Sequence, residues 1–361
     1  MNELNIQLQL LKMQLLRYPQ AQAQDLFKLL YQQEFGCGHL LTDPDAALIR
    51  LQEEALGAPS VPHPMEPIGN GLCRLHLSLV RRGKLRGETL TQMFALSAQQ
   101  TRGTTERFLH RVSQLEELCQ GGALPLSPLD VRALTDQWIQ DGMPIPRHSD
   151  SFRTAYQPAY RVVEERFVPF LPLFEQLDHL LQSRGRVLLA IDGNCAAGKS
   201  TLAAMLRQVY RGTVIPMDHF FLRPEQRTPQ RLAAPGGNVD YERFAREVLS
   251  PLKEGRPFSY RPYDCGVQQL GSPVLVEPHP LTVVEGSYSL HPTLAAAYDC
   301  SVFLRVAPAE QLQRILLRNG PEMAKRFQSQ WIPMEERYFE AFSIPLQCDL
   351  VFDTGTALQI R

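Results

Sequence analysis

Residues 193–200 read Gly193-Asn194-Cys195-Ala196-Ala197-Gly198-Lys199-Ser200, a G-x-x-x-x-G-K-S pattern. Its flanks decide how it is read. Before it, Arg186-Val187-Leu188-Leu189-Ala190-Ile191 is a leucine and β-branched run sized for one buried parallel strand. After it, Thr201-Leu202-Ala203-Ala204-Met205-Leu206-Arg207 favours helix and contains no breaker. Strand, glycine loop and helix start make this a phosphate-binding loop, because loop N–H groups and a helix N-terminus together form a positive concavity. Gly193, Asn194, Cys195, Ala196, Ala197, Gly198, Lys199, Ser200 and Thr201 are therefore expected to bind a nucleoside triphosphate, taken here as ATP. Lys199 would reach the β- and γ-phosphates and Ser200 would ligate Mg²⁺.

Working outward, the 361 residues suggest two domains, and 44% apolar with 21% charged residues describe globular cores. A net charge of −1 supplies no basic field for a nucleic-acid backbone, so no nucleic-acid partner is expected. The seven cysteines are scattered and form no C-x-x-C, which is free-thiol usage in a reducing compartment. Polar residues Gln7, Gln9, Lys12 and Gln14 interrupt the leucine-rich start, and no run approaches membrane-span length. A cytoplasmic protein without a membrane partner is expected; self-association is left open.

Downstream of the loop the chain alternates strands and helices. Gly212–Asp218 reads as a strand ending in an acid, and Leu281-Thr282-Val283-Val284-Glu285 as another. Ser301–Val306 and Leu350-Val351-Phe352 add two more. Between them Pro308–Asn319 reads as a helix, stopped at Gly320 and restarted at Pro321. Residues 184–361 are thus expected to be a parallel α/β sheet of the P-loop NTPase type, flanked by helices. Arg314, Arg318, Lys325 and Arg326 form a basic helical stretch after the fourth strand, where a closing lid or a solvated surface face would equally place them.

Residues 1–180 read as a mostly α-helical domain. Leu4, Leu8, Leu11 and Leu15 make one amphipathic stripe. Further helices are expected through Asp25–Tyr31, after Asp43-Pro44, and around Leu90–Gln99, Thr105–Leu118 and Pro128–Ile139, with one short strand in Leu72–Val80. Two places carry chemistry. Glu34-Phe35-Gly36-Cys37-Gly38-His39 reads as a metal site or nucleophile, or as a helix cap at glycine followed by an ordinary histidine. Arg147–Arg153 with Tyr156, Tyr160 and Arg161 suits an anionic or ring-bearing ligand, or domain packing.

A nucleotide loop alone names no reaction. A kinase needs an acid to accept the acceptor hydroxyl's proton, a second acid at the metal, and cations for the transferring phosphoryl group. Asp218, Glu285 and the arginines of 314–337 supply these from separate strand ends, with Lys199 in the loop and Ser200 with Glu285 as the metal-side pair. The sequence is therefore read as an ATP-dependent kinase of a small molecule bearing a hydroxyl, such as a nucleoside or sugar. The alternative is a nucleotide-gated regulator whose helical domain binds a partner.

Residues 186–353 resemble the uridine kinase and phosphoribulokinase group of P-loop kinases. The resemblance runs through Ile191–Thr201, Met217-Asp218-His219-Phe220-Phe221, Asn238–Phe244, Tyr260-Arg261-Pro262-Tyr263-Asp264, Val283–Gly286 and Cys348–Val351. It implies a catalytic base at Asp218, an acceptor-side aspartate at Asp240, and a substrate pocket shaped by Tyr263 and Asp264. In uridine kinases a histidine and an arginine follow that pair. Cys265-Gly266-Val267-Gln268-Gln269 stands there instead.

Overall fold

The computed structural model describes residues 3–36, 43–100 and 103–355. The chain divides into two compact units, Met1–Leu171 and Pro172–Arg361.

The first unit carries helices α1 (Glu3–Arg17), α2 (Ala23–Phe35), α3 (Pro44–Gly57), α4 (Ser78–Arg81), α5 (Gly87–Gln99), α6 (Thr105–Gln120), α7 (Pro128–Gln140) and α8 (Asp150–Tyr156). The cap expected at Asp43 is in place, accepting from the Asp45 N–H, and Thr104 caps α6 by accepting from the Arg107 N–H. The unit is mostly helical, as expected, and it also holds a small sheet. Strands β1 (Met65–Gly69), β2 (Leu72–His76) and β3 (Tyr160–Glu164) form an antiparallel sheet with β2 in the middle. Local pattern hides β1, because Pro67 and Gly69 sit in it at an irregular register, which an edge strand tolerates. The strand expected over Leu72–Val80 stops at His76, and α4 takes its last residues.

In the second unit, α9 (Leu171–Arg184) leads into β4 (Val187–Gly193), α10 (Lys199–Tyr210) and β5 (Thr213–Pro216). Phe174 of α9 stacks on Tyr210 of α10, whose hydroxyl donates to Asp178, so α9 belongs with the sheet. The two compact units meet between Leu171 and Pro172, at the start of α9. A polar excursion holds α11 (Pro229–Ala233), α12 (Tyr241–Phe244), α13 (Ser250–Glu254) and the short strands β6 (Phe258–Tyr260), β7 (Tyr263–Asp264), β8 (Gln269–Leu270) and β9 (Val274–Val276). Then come β10 (Leu281–Glu285), α14 (Pro292–Ala295), β11 (Cys300–Arg305), α15 (Pro308–Arg326), α16 (Ile332–Ala341), α17 (Ile344–Gln347) and β12 (Leu350–Asp353).

Five strands make one parallel sheet in the order β12-β11-β4-β10-β5. The loop strand β4 is central, and every residue of β10 is buried, as a parallel sheet covered on both faces requires. Register places Glu285 beside Ile191 and Gly193 beside Leu304. Gly193 has φ +137°, and a Cβ there would lie 2.1 Å from the Leu304 carbonyl oxygen, so glycine is obligatory at the loop's first position. Among the described residues no helix is long and apolar enough to cross a membrane.

Candidate active site

The loop leaves the C-terminal end of β4, where open α/β sheets bind ligands. Gly198 caps α10 in the left-handed region. Lys199 is buried and folds over the loop, its Nζ donating to the Gly193 carbonyl (2.7 Å), the Asn194 carbonyl (2.9 Å) and Ser287 Oγ (3.2 Å). Ser200 Oγ lies 3.1 Å from both carboxylate oxygens of Glu285. Burial holds the Glu285 carboxyl above the usual range, helped by the charge of Asp218 and opposed by Ser200 and Lys199. Among the described residues no group of three or more His, Cys, Asp or Glu could hold a metal unaided. A hydroxyl and a carboxylate fit Mg²⁺, which keeps waters and is completed by substrate phosphates.

Four residues, Asp192, Gln311, Arg314 and Glu335, fix the loop's shape through long-range contacts that sequence reading did not find as such. Asp192, 0% exposed, accepts from the N–H groups of Gly193, Tyr288 and Leu290 and from the Tyr338 hydroxyl. Burial pushes its carboxyl up to about 6 against these bonds and Lys199, all of which favour the ionised form. Gln311 of α15 donates to the Cys195 carbonyl, and Arg314 donates to the Ala196 carbonyl. Glu335 of α16, 5% exposed, accepts from the Cys195 N–H at 2.9 Å and from Ser287 Oγ.

Asp218 follows β5 in a single 3₁₀ turn, at the strand end next to that of Glu285. Gly286, beside it at the end of β10, has φ +140°, and a Cβ there would lie 2.9 Å from Met217 Cβ, so glycine lets the two strand ends approach. Asp218 is exposed to solvent, with buried Met217 and Phe220 on either side of it. Desolvation raises its carboxyl, against the charges of Lys199, His219 and Arg318. Asp218, Glu285 and Lys199 thus feel one another's charges. His219 Nδ1 is 2.9 Å from the Tyr260 hydroxyl, and Arg243, buried against Phe220, donates to the carbonyls of His219 and Arg261.

The expected acceptor-side residues are placed as follows. Asp240 is buried, caps α12 through the Arg243 N–H and accepts from Gln226 Nε2. Tyr263 is buried in a two-residue ladder with β8, and its hydroxyl accepts from Arg227 Nη2 at 3.0 Å. Asp264 is exposed and closes the turn by accepting from the N–H groups of Gly266 and Val267. Arg227 thus brings a cation from 36 residues upstream to the pair that lacks a following histidine and arginine.

The basic stretch divides in two. Arg314 is held by Ala196, Thr354 and an ion pair to Glu310, so it fastens the loop. Gly320, at φ 79°, breaks the helical course between Arg318 and Pro321. Arg318 is exposed and its charge is felt at Asp218. Lys325 pairs with Glu322, and Arg326 lies over Trp331. In the first unit, Gly36 caps α2, and Glu34 pairs with Arg107 and Arg111. Cys37 and His39 lie outside the described residues. His148 stacks on Phe152 and bridges Asp25 to Tyr160, so this part of the Arg147–Arg161 segment packs within its own unit.

No family model matches the chain. Among solved structures it is similar to a possible uridine kinase from Bacillus stearothermophilus, at 21% identity and TM-score 0.38, over 50% of this chain and 99% of that one. It is also similar to a candidate fructose transport system kinase from Silicibacter sp. TM1040, at 25% identity and TM-score 0.39, over 49% and 97%. A shikimate kinase from Bacteroides thetaiotaomicron is similar at 13% identity and TM-score 0.25, over 46% and 86%. The second unit has a P-loop-type α/β fold. Its own features carry that statement: the loop strand at the centre of a parallel sheet, with the acid-bearing strand β10 directly beside it.

Proposed function

We propose that the protein transfers the γ-phosphoryl group of ATP to a hydroxyl of a small metabolite. The observation that carries this is the convergence of Lys199, Glu285 and Asp218 at the C-terminal ends of three adjacent parallel strands, close enough to perturb one another's charge. Asp218 is the base: open to solvent, it takes the acceptor hydroxyl's proton as the oxygen attacks phosphorus. Its raised affinity for protons brings it nearer to neutral pH, where a base works best. Ser200 and Glu285 would hold Mg²⁺, whose charge neutralises phosphate oxygens. Arg318 is the exposed cation positioned to meet the transferring group. Arg227 and Tyr263 flank the acceptor side.

Mg-ATP incubated with nucleosides, sugars and hydroxy acids tests the reading. ADP release stimulated by one class is expected, and Asp218→Asn should slow it by roughly 10²–10⁴-fold while nucleotide affinity stays nearly unchanged. ATP binding without turnover on any class would favour the regulator instead. Full activity in Asp218→Asn would remove the base assignment.

A further inference from the structure

The phosphate loop already holds an anion, and it is the protein's own. The Glu335 carboxylate accepts from the Cys195 N–H at 2.9 Å, a main-chain donor inside the loop. Its other oxygen accepts from Ser287 Oγ, and Ser287 in turn receives Lys199 Nζ at 3.2 Å. Lysine in loops of this pattern serves the β- and γ-phosphates. One hydroxyl therefore separates Glu335 from the group that grips the terminal phosphate. The carboxylate sits on a different element from the loop, and α16 makes a second contact one turn later through Tyr338 and Asp192.

We propose that Glu335 is a specificity-determining residue that stands in for the terminal phosphate in the nucleotide-free protein and opposes its entry. The proposal rests on the reading that the loop binds a nucleoside triphosphate. Two anions that must share one set of donors repel each other, because the ionised form of each is disfavoured by the other. A γ-phosphate therefore has to displace Glu335 from Cys195 and Ser287, whereas a diphosphate, which lacks that group, leaves it in place. Displacement loosens α16, which is joined to the segment carrying Arg318, Lys325 and Arg326 by the π-helical turn Phe327–Trp331. Occupancy of the terminal phosphate position is thereby reported to the segment on which Arg318, Lys325 and Arg326 stand. Glu335 sets the balance between ATP and ADP as bound ligands, independently of any acceptor.

Dissociation constants for ATP and ADP, measured calorimetrically without acceptor, test this on the full chain and on Glu335→Gln. Glutamine keeps the size and can still accept from the Cys195 N–H, but it carries no charge. ATP should bind roughly tenfold tighter to Glu335→Gln, within the usual range for coupling between two ligands, while ADP stays within about twofold. Equal shifts for both nucleotides, or no shift, overturn the proposal. A second measurement needs no variant. Hydrogen exchange across 332–341 in the unaltered protein should quicken with a non-hydrolysable ATP analogue but not with ADP; identical protection in both overturns it. If the unaltered protein binds neither nucleotide, the nucleotide reading fails and takes this proposal with it. If it binds both and the ATP:ADP ratio ignores residue 335, only this proposal fails.

Discussion

The Tyr338 hydroxyl donates to Asp192 across 2.9 Å, joining two residues 146 positions apart in the chain. Asp192 is fully buried and its other three donors are backbone N–H groups, so Tyr338 is the one partner a side-chain change can remove. Hydrogen bonds to charged groups contribute about 1.5–3 kcal/mol each. Tyr338→Phe should therefore lower stability by roughly that amount, read as a drop in the thermal midpoint of the second unit. An unchanged midpoint would show that the backbone donors alone satisfy Asp192.

Arg314 and Arg318 lie one helical turn apart and should behave differently. Arg314 donates to the Ala196 carbonyl and pairs with Glu310, so Arg314→Ala should destabilise the unit by about 1–3 kcal/mol and weaken nucleotide binding through the loop. Arg318 is exposed and, among the described residues, donates only to its neighbour Asn319, so it should be nearly neutral for stability, within about 0.5 kcal/mol. Its alanine variant should instead slow phosphoryl transfer. Urea titrations beside turnover assays separate the two; similar profiles would refute the division of the basic stretch.

Arg227 should matter for the acceptor and not for the nucleotide. Arg227→Met removes the charge and the donor to Tyr263 while keeping much of the apolar stem. The acceptor KM should rise several-fold with the ATP KM unchanged. A rise in the ATP KM alone would refute the placing of Arg227 with the acceptor.

The first unit should lose stability on mild acidification. Burial lowers the His148 imidazole from 6.5 to about 4, with Asp25 opposing. Its two ring nitrogens are matched to a neutral ring, one donating to Asp25 and the other accepting from Tyr160. Between pH 6.5 and about 4 the unfolded chain binds a proton that the folded chain does not, so stability falls as pH falls through that window and is fully present above it. The Asp25 carboxyl is held below its usual value of 3.8, so its own loss of stability comes at lower pH. Denaturant midpoints of the first unit at pH 7.5, 6 and 5 should decline in that order; a flat series would show that His148 protonates without cost.

The parts of this molecule that announce themselves in sequence are those whose physics is local. The loop, its flanking strand and helix, and the acids closing β5 and β10 each lie in one contiguous run. The residues that shape the loop do not. Asp192 sits in plain view inside the strand, but its significance comes from Tyr288, Leu290 and Tyr338. Glu335 reaches Cys195 from 140 residues away. Arg314 reads as a candidate lid cation because a positive charge on a helix says nothing about which carbonyl it meets. In the first unit, β1 contains a proline and a glycine and so resembles a loop until β2 is seen beside it.

The partition at Leu171 has a practical meaning for anyone dissecting the chain. Every hydrogen-bond partner named at the candidate active site, from Asp192 to Thr354, falls within 172–361. A gene fragment starting at the codon for Pro172 would encode every one of those partners.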